Sequence, residues 1–309
     1  MKDELDKCKG ALLGLAAGDA LGTTLEFKTP GTFEPLTDLI GGGIFRLEAG
    51  KWTDDTSMAL CLADSLIEKN SFDAFDQLEK YLKWFNEGYN SSTGECFDIG
   101  NATKQALYLF ENSGQPYCGN TLRQSAGNGS IMRLAPIPIF YYNEPEKLMQ
   151  YSENSSKTTH AAPQCIDACK YMSGIIAGAI KGISKEELLG DSFSLIPNYW
   201  KDNPLDSSIQ EIAKGSFKIK QPPQIKGSGY VVQTLEAALW AFYHTNDFES
   251  GALNVVNLGD DADTTGAVYG QIAGAYYGMK CIPEKWLKKV YRASDIEIIA
   301  ERLYKIAIK

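Results

Sequence analysis

Two series of glycines, each spaced four residues apart, constrain the fold of this chain more than any other feature of its sequence. They are Gly10, Gly14, Gly18 and Gly22 near the start, and Gly266, Gly270, Gly274 and Gly278 near the end. Residues at this spacing share one face of an α-helix. Glycine inside a helix costs about 1 kcal/mol relative to alanine, so each series predicts the compensating close approach of another helix backbone. Because neither segment has about 20 uninterrupted apolar residues, we expect this packing in a globular core rather than in a membrane.

Apolar residues at three- and four-residue spacing recur along the rest of the chain and predict an all-α fold. The predicted helices are 7–23, 54–69, 73–88, 101–112, 161–182, 230–246, 263–280 and 294–307. Few runs alternate with a period of two, and only short segments such as 43–48 are expected to be locally extended. The predicted loops are 28–52, 113–129, 187–206 and 215–229. Since none is long or biased enough to separate domains, residues 1–309 are predicted to form one compact domain.

The charge of the chain limits its partners. Its 39 acidic and 30 basic residues give a net charge of −9, which argues against broad attraction to a nucleic-acid backbone or an anionic membrane. An anionic substrate therefore requires a local source of positive potential. The seven cysteines are odd in number and scattered, which is typical of reduced thiols, and the N-terminus is too charged for a signal peptide. We expect a cytoplasmic protein.

Two acidic clusters precede strongly helical segments, Thr53-Asp54-Asp55-Thr56 and the run from Asp260 to Thr265. Helix capping explains one carboxylate or hydroxyl in each. It does not explain two or three carboxylates in one turn, whose mutual repulsion is unfavourable without a cation. Oxygen ligands without neighbouring histidine or cysteine suit Mg²⁺, Mn²⁺ or Ca²⁺ rather than zinc. The clusters hold two such ions if they face each other; the alternative is two separate surface caps.

Two glycine-containing turns are candidates for ligand binding. The segment from Gly127 to Arg133 has backbone N–H groups that can bind phosphate, although an ordinary loop with a serine N-cap is the simpler interpretation. The turn from Gly227 to Tyr230 ends in an aromatic ring that can stack on a base or pack against the core. His160 precedes a long helix and is a candidate ligand contact, whereas His244 is interpreted as structural.

Taken together, several segments resemble the ADP-ribosylglycohydrolase family, and the resemblance extends over nearly the whole chain. The similar segments are Gly10 to Phe27, Trp52 to Ser57, Phe97 to Thr103, Gly127 to Pro136, Thr159 to Ala161, Gly229 to Leu235, and Asn257 to Gly266. The resemblance implies a compact, single-domain orthogonal helical bundle with two divalent cations, Mg²⁺ or Mn²⁺, at the base of an ADP-ribose cleft.

The resemblance also implies roles for individual residues. The implied metal ligands are Thr53, Asp54, Asp55, Asp261, Asp263 and Thr264. Glu26 resembles the family's acidic residue beside the metal centre, Asp98 is a candidate near the leaving group, and Asp260 is expected to lie outside the ligand set. The implied ligand-binding residues are Gly127, Asn128, Gly129, Ser130 and Met132 in the diphosphate and ribose loop, His160, and Ser228, Gly229 and the adenine-stacking Tyr230.

The implied reaction is hydrolysis at the anomeric carbon of the distal ribose through an oxocarbenium-like transition state, with water as nucleophile. Glu26, Asp54 or Asp55 moves the proton, and the residue types do not decide among them. The expected substrate is ADP-ribosyl-arginine on a protein and the product is ADP-ribose. The alternatives are serine-, nucleobase- or small-molecule-linked ADP-ribose, a catalytically silent ADP-ribose-binding module, and a two-metal phosphoesterase that yields AMP. A monomer without membrane or nucleic-acid partners, other than an ADP-ribosylated nucleic acid, is favoured.

Overall fold

The structure is a computed structural model that describes residues 2–309, and within this range it contains helices and no strand. The α-helices are α1 (Lys2–Gly22), α2 (Asp54–Lys69), α3 (Ala74–Glu87), α4 (Asn101–Ser113), α5 (Pro136–Tyr141), α6 (Pro145–Lys157), α7 (Pro163–Ile180), α8 (Lys185–Leu188), α9 (Tyr199–Asp202), α10 (Ser207–Ala213), α11 (Ser216–Ile219), α12 (Val231–His244), α13 (Phe248–Val256), α14 (Ala262–Tyr277), α15 (Glu284–Leu287) and α16 (Ala293–Ala307). Two short 3₁₀ turns cover Arg123–Ser125 and Met279–Cys281. The all-α prediction is confirmed.

Helices α1 and α14 pack antiparallel through their glycine faces. A Cβ atom added at Gly270 would overlap the carbonyl oxygen of Gly14, and one added at Gly14 would overlap that of Gly270. The same mutual contact joins Gly18 to Gly266 and Gly10 to Gly274, and Gly22 faces the backbone of Ala262. The predicted close approach of another helix is confirmed, and the structure adds that each series is the partner of the other. Both helices are buried along most of their length, so this pair forms the centre of the core.

The α1–α14 pair also determines where chemistry can occur. Because the helices are antiparallel, the last turn of α1 lies beside the first turn of α14, which begins directly after Asp260 and Asp261. Asp19 lies in this part of α1 and accepts hydrogen bonds from the residues that begin α2. Three helix ends that are distant in sequence therefore meet at one place.

The predicted loops contain more structure than their composition indicates. The short helices α9 and α11 lie within 187–206 and 215–229, and the 3₁₀ turn Arg123–Ser125 lies within 113–129. In the 28–52 loop, Gly42 and Leu47 form an isolated antiparallel bridge, but residues 43–46 between them form a turn rather than the predicted extended segment, with positive φ at Gly43 and Arg46. Within residues 2–309 we find no helix with both the length and the apolar character needed to cross a bilayer.

Candidate active site

The two acidic turns converge, which excludes the interpretation of separate surface caps. The Oγ1 atom of Thr53, before α2, lies 3.2 Å from Oδ2 of Asp263 in the first turn of α14. The Oγ1 atom of Thr264 lies 3.5 Å from Oδ2 of Asp55. Neither Thr53 nor Asp261, the residues at the two N-cap positions, makes a capping hydrogen bond with its side chain. The side chains of Thr53, Asp55, Asp263 and Thr264 are instead buried together, and Asp261 is partly exposed at the cavity wall.

The hydroxyl of Thr53 lies between three carboxylates. Its Oγ1 atom is 3.0 Å from Oδ1 of Asp19, 3.2 Å from Oδ2 of Asp55 and 3.2 Å from Oδ2 of Asp263. A hydroxyl has one proton, so it can donate to only one of these oxygens at a time. The remaining short oxygen–oxygen distances require protons or a cation.

Asp19 is a member of this cluster that the sequence analysis did not identify. Its Oδ1 accepts from the backbone N–H of Thr53, and its Oδ2 accepts from both the N–H and the hydroxyl of Thr56. Asp19 thus positions the start of α2. The available signal was one carboxylate in a helix segment that is otherwise apolar and glycine-lined, from Ala11 to Leu21.

The carboxylates form two overlapping groups that can each hold a metal ion. One group is Asp19, Asp55 and Asp263 and the other is Glu26, Asp98 and Asp263, and within each group one oxygen per residue lies within 4.8 Å of the others. The ion pairs recorded for residues 2–309 include none of these carboxylates. Among the described residues, the buried atoms Glu26 Oε2, Asp55 Oδ1 and Asp263 Oδ1 have no hydrogen-bond partner. Oxygen donors without a protein cation fit a hard divalent ion.

The crowding of these carboxylates disfavours their charged forms. Burial and the neighbouring Asp98 raise the pKa of Glu26 to about 10. Burial raises the pKa of Asp98 to about 7, and that of Asp19 to about 6 despite the hydrogen bonds that this residue accepts. Burial, reinforced by the surrounding carboxylates, also raises the pKa values of Asp54, Asp55 and Asp263. A bound cation would reverse this preference.

The acidic cluster opens into a cavity of about 320 Å³. Most of the predicted site residues line it: Glu26, Asp54, Asp98, Gly127, Asn128, Gly129, Met132, His160, Gly229, Asp261, Asp263 and Thr264. Lining residues that were not predicted are Phe27, Gly100, Asn101, Ala102, Thr103 and Asp260. Asp260 is exposed at the cavity wall, and its backbone has a positive φ of 58°.

The remaining predicted residues lie beside the cavity rather than on its wall. Thr53 and Asp55 are buried beneath it. The Ser130 hydroxyl is buried, 3.0 Å from the Ser156 hydroxyl, and Ser228 contacts the side chain of Gln233. Tyr230, at the start of α12, has a ring that is 37 % exposed. The ligand contacts inferred for Ser130, Ser228 and Tyr230 stay predictions.

The turn at Gly127 is attached to the acidic cluster and to the Gly229 turn. The amide of Asn128 donates to Oδ2 of Asp261 at 2.8 Å and to Oγ1 of Thr234 at 3.0 Å. The backbone N–H of Asn128 donates to the carbonyl of Gly229 at 3.1 Å. The turn is therefore held next to the carboxylates, at one wall of the cavity.

His160 lies beneath this turn. A Cβ atom at Gly129 would lie 2.6 Å from Cε1 of His160, so only glycine fits at this position without displacing the imidazole. Burial, together with the charge of Arg133, lowers the pKa of His160 to about 3. The imidazole is therefore neutral at physiological pH.

Comparisons with known proteins agree with this geometry. Residues 1–308 match the ADP-ribosylglycohydrolase family. The chain is 44 % identical over 305 residues to ADP-ribosylarginine hydrolase Tri1 of Serratia proteamaculans, covering 99 % of this chain and 81 % of that protein. It is 31 % identical to the ADP-ribosyl-[dinitrogen reductase] glycohydrolase of Rhodospirillum rubrum, covering 95 % of this chain and 93 % of that one.

A solved structure has the same fold. It is described as an ADP-ribosylglycohydrolase-related protein complex, is 40 % identical and superposes with a TM-score of 0.88. The match covers 99 % of this chain and all of that one. From the match over the whole chain and the converging acidic turns, we conclude that this protein is a glycohydrolase and belongs to the ADP-ribosylglycohydrolase family.

Proposed function

We propose that the protein hydrolyses the N-glycosidic bond between the distal ribose of ADP-ribose and an arginine side chain of a protein, releasing ADP-ribose. The observation that carries this proposal is the convergence of the two acidic turns beside the Gly127 turn, in one cavity. The choice of arginine is supported by two relatives at 44 % identity, both named ADP-ribosylarginine hydrolases. Serine-, nucleobase- and small-molecule-linked ADP-ribose are the competing substrates.

We propose further that the site binds two divalent cations, Mg²⁺ or Mn²⁺. The proposed ligands are Thr53, Asp54, Asp55, Asp261, Asp263 and Thr264, with Glu26 beside them. The overlapping carboxylate groups and the three unpartnered carboxylate oxygens support such a site. When bound, the cations supply the positive potential that a chain of charge −9 otherwise lacks, and this potential favours binding of the ribose hydroxyls.

The residues of the Gly127 turn are suited to bind the diphosphate. Among residues 2–309, the backbone N–H groups of Gly129 and Ser130 have no recorded acceptor, whereas those of Ile131 and Met132 donate to the carbonyl of Asn128. Unpaired N–H groups in a glycine-containing turn are donors for phosphate oxygens. Ser130 would thus contact the ligand through its backbone, and the ring of Tyr230 would stack on the adenine.

Carboxylates of the acidic cluster carry the proton transfers. Water attacks the anomeric carbon, the bond to the guanidine nitrogen breaks, and the departing guanidine takes up a proton. Asp54 and Glu26 line the cavity and Asp55 lies just beneath it, so each is a candidate to accept the proton of the attacking water. Asp98 adjoins Glu26 and raises its pKa, and we propose that this second carboxyl group acts near the leaving group.

The test is to incubate the protein with arginine-, serine- and nucleobase-linked ADP-ribose in the presence of Mg²⁺, Mn²⁺ or a chelator, and to identify the products by mass. Release of intact ADP-ribose from arginine, abolished by the chelator, is the expected result. Formation of AMP would instead indicate a phosphoesterase, and tight binding without turnover at any metal concentration would indicate a silent binder. The number of bound ions is measured by calorimetric titration with Mn²⁺ of protein from which metal has first been removed by a chelator.

We also propose that residues 1–309 act as one domain and as a monomer. Most of the buried apolar residues of 2–309 form one continuous cluster, which supports a single domain. Sedimentation at micromolar concentration tests the oligomeric state. The cytoplasmic location inferred from the sequence stays a prediction.

A further inference from the structure

A buried arginine lies behind the cavity without an acidic partner. Arg133 has no exposed surface, and none of the ion pairs recorded for residues 2–309 includes it. Its guanidinium packs over the ring of Tyr81 at 4.7 Å. Its shortest hydrogen bond runs from NH2 to Oγ1 of Thr159, at 2.7 Å, and a longer one of 3.4 Å runs to Oγ1 of Thr158. This guanidinium is therefore directed at two threonine hydroxyls rather than at a carboxylate.

The contact with Arg133 determines what the Thr159 hydroxyl can do. A guanidinium has only donors, so Thr159 Oγ1 must accept from it. The second contact of Thr159 Oγ1 is with Nδ1 of His160, at 2.8 Å, and no other partner of this hydroxyl is recorded among residues 2–309. Its own proton is therefore available only to Nδ1. If Nδ1 were instead protonated and donated to the same oxygen, the hydroxyl proton would be buried without an acceptor, which is unfavourable. The favoured arrangement therefore has an unprotonated Nδ1, and the neutral imidazole carries its proton on Nε2.

The Nε2 atom faces the cavity. His160 lines the cavity wall, and Cβ atoms placed at Gly127 and Gly129 would lie 3.5 Å and 3.0 Å from Nε2. Within residues 2–309 this nitrogen has no recorded hydrogen-bond partner. The backbone of His160 is held by Ser156: its N–H donates to the carbonyl of Ser156, and its carbonyl accepts from the Ser156 hydroxyl. The imidazole is thus fixed behind the turn proposed to bind the diphosphate, with one donor left for a ligand.

We propose that Thr159, oriented by the buried Arg133, is a positioning residue that holds His160 as its neutral Nε2–H tautomer and so presents a single hydrogen-bond donor to an oxygen of bound ADP-ribose. The identity of the ligand rests on the proposed function, but the tautomer does not. The low pKa of His160 agrees with this arrangement, because burial and the nearby guanidinium both disfavour a second proton on the ring.

The tautomer is measured directly by long-range ¹H–¹⁵N correlation spectra of the ligand-free protein labelled with ¹⁵N-histidine. The chain has two histidines, so the His244→Gln variant assigns both sets of signals. The expected result at pH 7 is that Nδ1 of His160 resonates as an unprotonated, hydrogen-bonded nitrogen and Nε2 as a protonated one. A protonated Nδ1, or two protonated nitrogens, would overturn the proposal whether or not the protein is an active hydrolase.

Variants of the two neighbouring threonines separate positioning from a general packing effect. Thr159→Val removes the hydroxyl with little change of shape, and Thr159→Ser retains it. Thr158→Val is the matched control, because Thr158 also contacts Arg133 but makes no recorded contact with the imidazole. Thr159→Val should shift the Nδ1 resonance toward that of a free unprotonated nitrogen and weaken ADP-ribose binding by about fivefold, the effect of losing one hydrogen bond.

We expect Thr159→Ser and Thr158→Val to retain the wild-type Nδ1 resonance and the wild-type affinity, measured by calorimetry with Mg²⁺ present. An unchanged Nδ1 resonance in Thr159→Val, or an equal shift in Thr158→Val, would overturn the assignment. If Thr159→Val does not fold, the wild-type and Thr159→Ser spectra still decide the tautomer. The expected tautomer in a protein that releases no ADP-ribose from any substrate would support this proposal while contradicting the proposed function.

Discussion

Oγ1 of Thr53 lies 3.2 Å from Oδ2 of Asp263, although 210 positions separate the two residues in the chain. This contact exists because α2 and α14 both begin beside the last turn of α1. Asp19 on α1 binds the start of α2 through hydrogen bonds, and the glycine face of α1 brings in α14. The packing of the core therefore brings the acidic cluster together. Substitutions in the cluster should mainly change metal binding and turnover, whereas substitutions in the core should mainly change the stability of the fold.

Replacing Asp261 and Asp263 together by asparagine should abolish metal binding while the fold is retained. Asp263 belongs to both carboxylate groups, and Asp261 lies beside it on the cavity wall. We expect turnover to fall by about 100-fold or more, because the positive potential at the ribose is lost. Without metal, the double variant should unfold at a higher temperature than the wild type, since two repelling carboxylates have been removed.

The matched control is Asp202→Asn, which changes an exposed carboxylate at the end of α9. Its Mn²⁺ affinity, measured by calorimetry, and its turnover should equal those of the wild type. Undiminished turnover in the double variant would rule out the ligand assignment.

The stability of the metal-free protein should decrease as the pH rises from 6.5 to 7.5. Glu26 has a pKa of about 10 in the folded chain, so over this interval the folded state keeps a proton that the unfolded state has already released. Stability conferred by such a raised carboxyl pKa is complete below about pH 4 and is lost progressively above it. Each such proton lowers the free energy of unfolding by about 1.4 kcal/mol per pH unit.

Between pH 6.5 and 7.5, the effect of the carboxyl groups on stability can be distinguished from that of His160. His160 has a lowered pKa, so its effect is largest below the ordinary histidine pKa of about 6.5 and fades above it, and it raises rather than lowers the stability as the pH increases. Urea unfolding in the presence of chelator at pH 6.5 and 7.5 measures how steeply the free energy of unfolding falls with pH. Glu26→Gln should make this fall less steep. Saturating Mg²⁺ should reverse the trend, because cations bind the deprotonated carboxylates. Equal stability at pH 6.5 and 7.5 in chelator would contradict the prediction.

Gly270→Ala should destabilise the protein by about 3 kcal/mol, the upper end of the range for overpacking. The added methyl group would overlap the carbonyl oxygen of Gly14, and neither backbone can move without separating α1 from α14. Gly174→Ala in α7 is the control, since its Cβ would only touch the flexible end of Met149 at 3.4 Å. This control should be neutral or more stable by up to about 1 kcal/mol. Urea unfolding that finds the two variants equally stable would show that the glycine contact is not tight.

The parts of the fold that follow from local periodicity were predictable from the sequence. Helices α2, α4 and α16 begin and end within a residue or two of their predicted bounds, because their apolar residues repeat over several turns. Helix α6 was not predicted, since its 13 residues include four serines and asparagines and few apolar side chains. Helix α5 was missed because it is six residues long and contains two prolines. Short or polar helices are stabilised by tertiary contacts that have no local signal.

The candidate site was predictable wherever a turn carried several functional residues in succession. Both acidic turns and the Gly127 turn are of this kind. Isolated residues were harder to predict. Asp19 accepts hydrogen bonds from two residues at the start of α2, and Thr159 lies between Arg133 and His160. The lone carboxylate in an apolar segment is a weak signal for Asp19, and nothing in the local sequence distinguishes Thr159. Their part in the site depends on geometry that only the folded chain displays.

Asp19→Asn should weaken metal binding although Asp19 is not one of the proposed ligands, because it holds the residues around Thr53 in place. Oδ1 of Asp19 accepts from the N–H of Thr53, and Oδ2 accepts from the N–H and hydroxyl of Thr56. An asparagine has one acceptor oxygen and would direct an N–H₂ group at one of these donors, which displaces the start of α2 and the carboxylates of Asp54 and Asp55. Loss of such a supporting contact typically lowers metal affinity by about 10- to 100-fold.

Calorimetric titration of Asp19→Asn with Mn²⁺ measures this change. Activity should recover at high Mn²⁺, because the ligands are displaced rather than removed. A variant with full metal affinity, or one that saturating Mn²⁺ fails to reactivate, would show that Asp19 does not act through the position of α2.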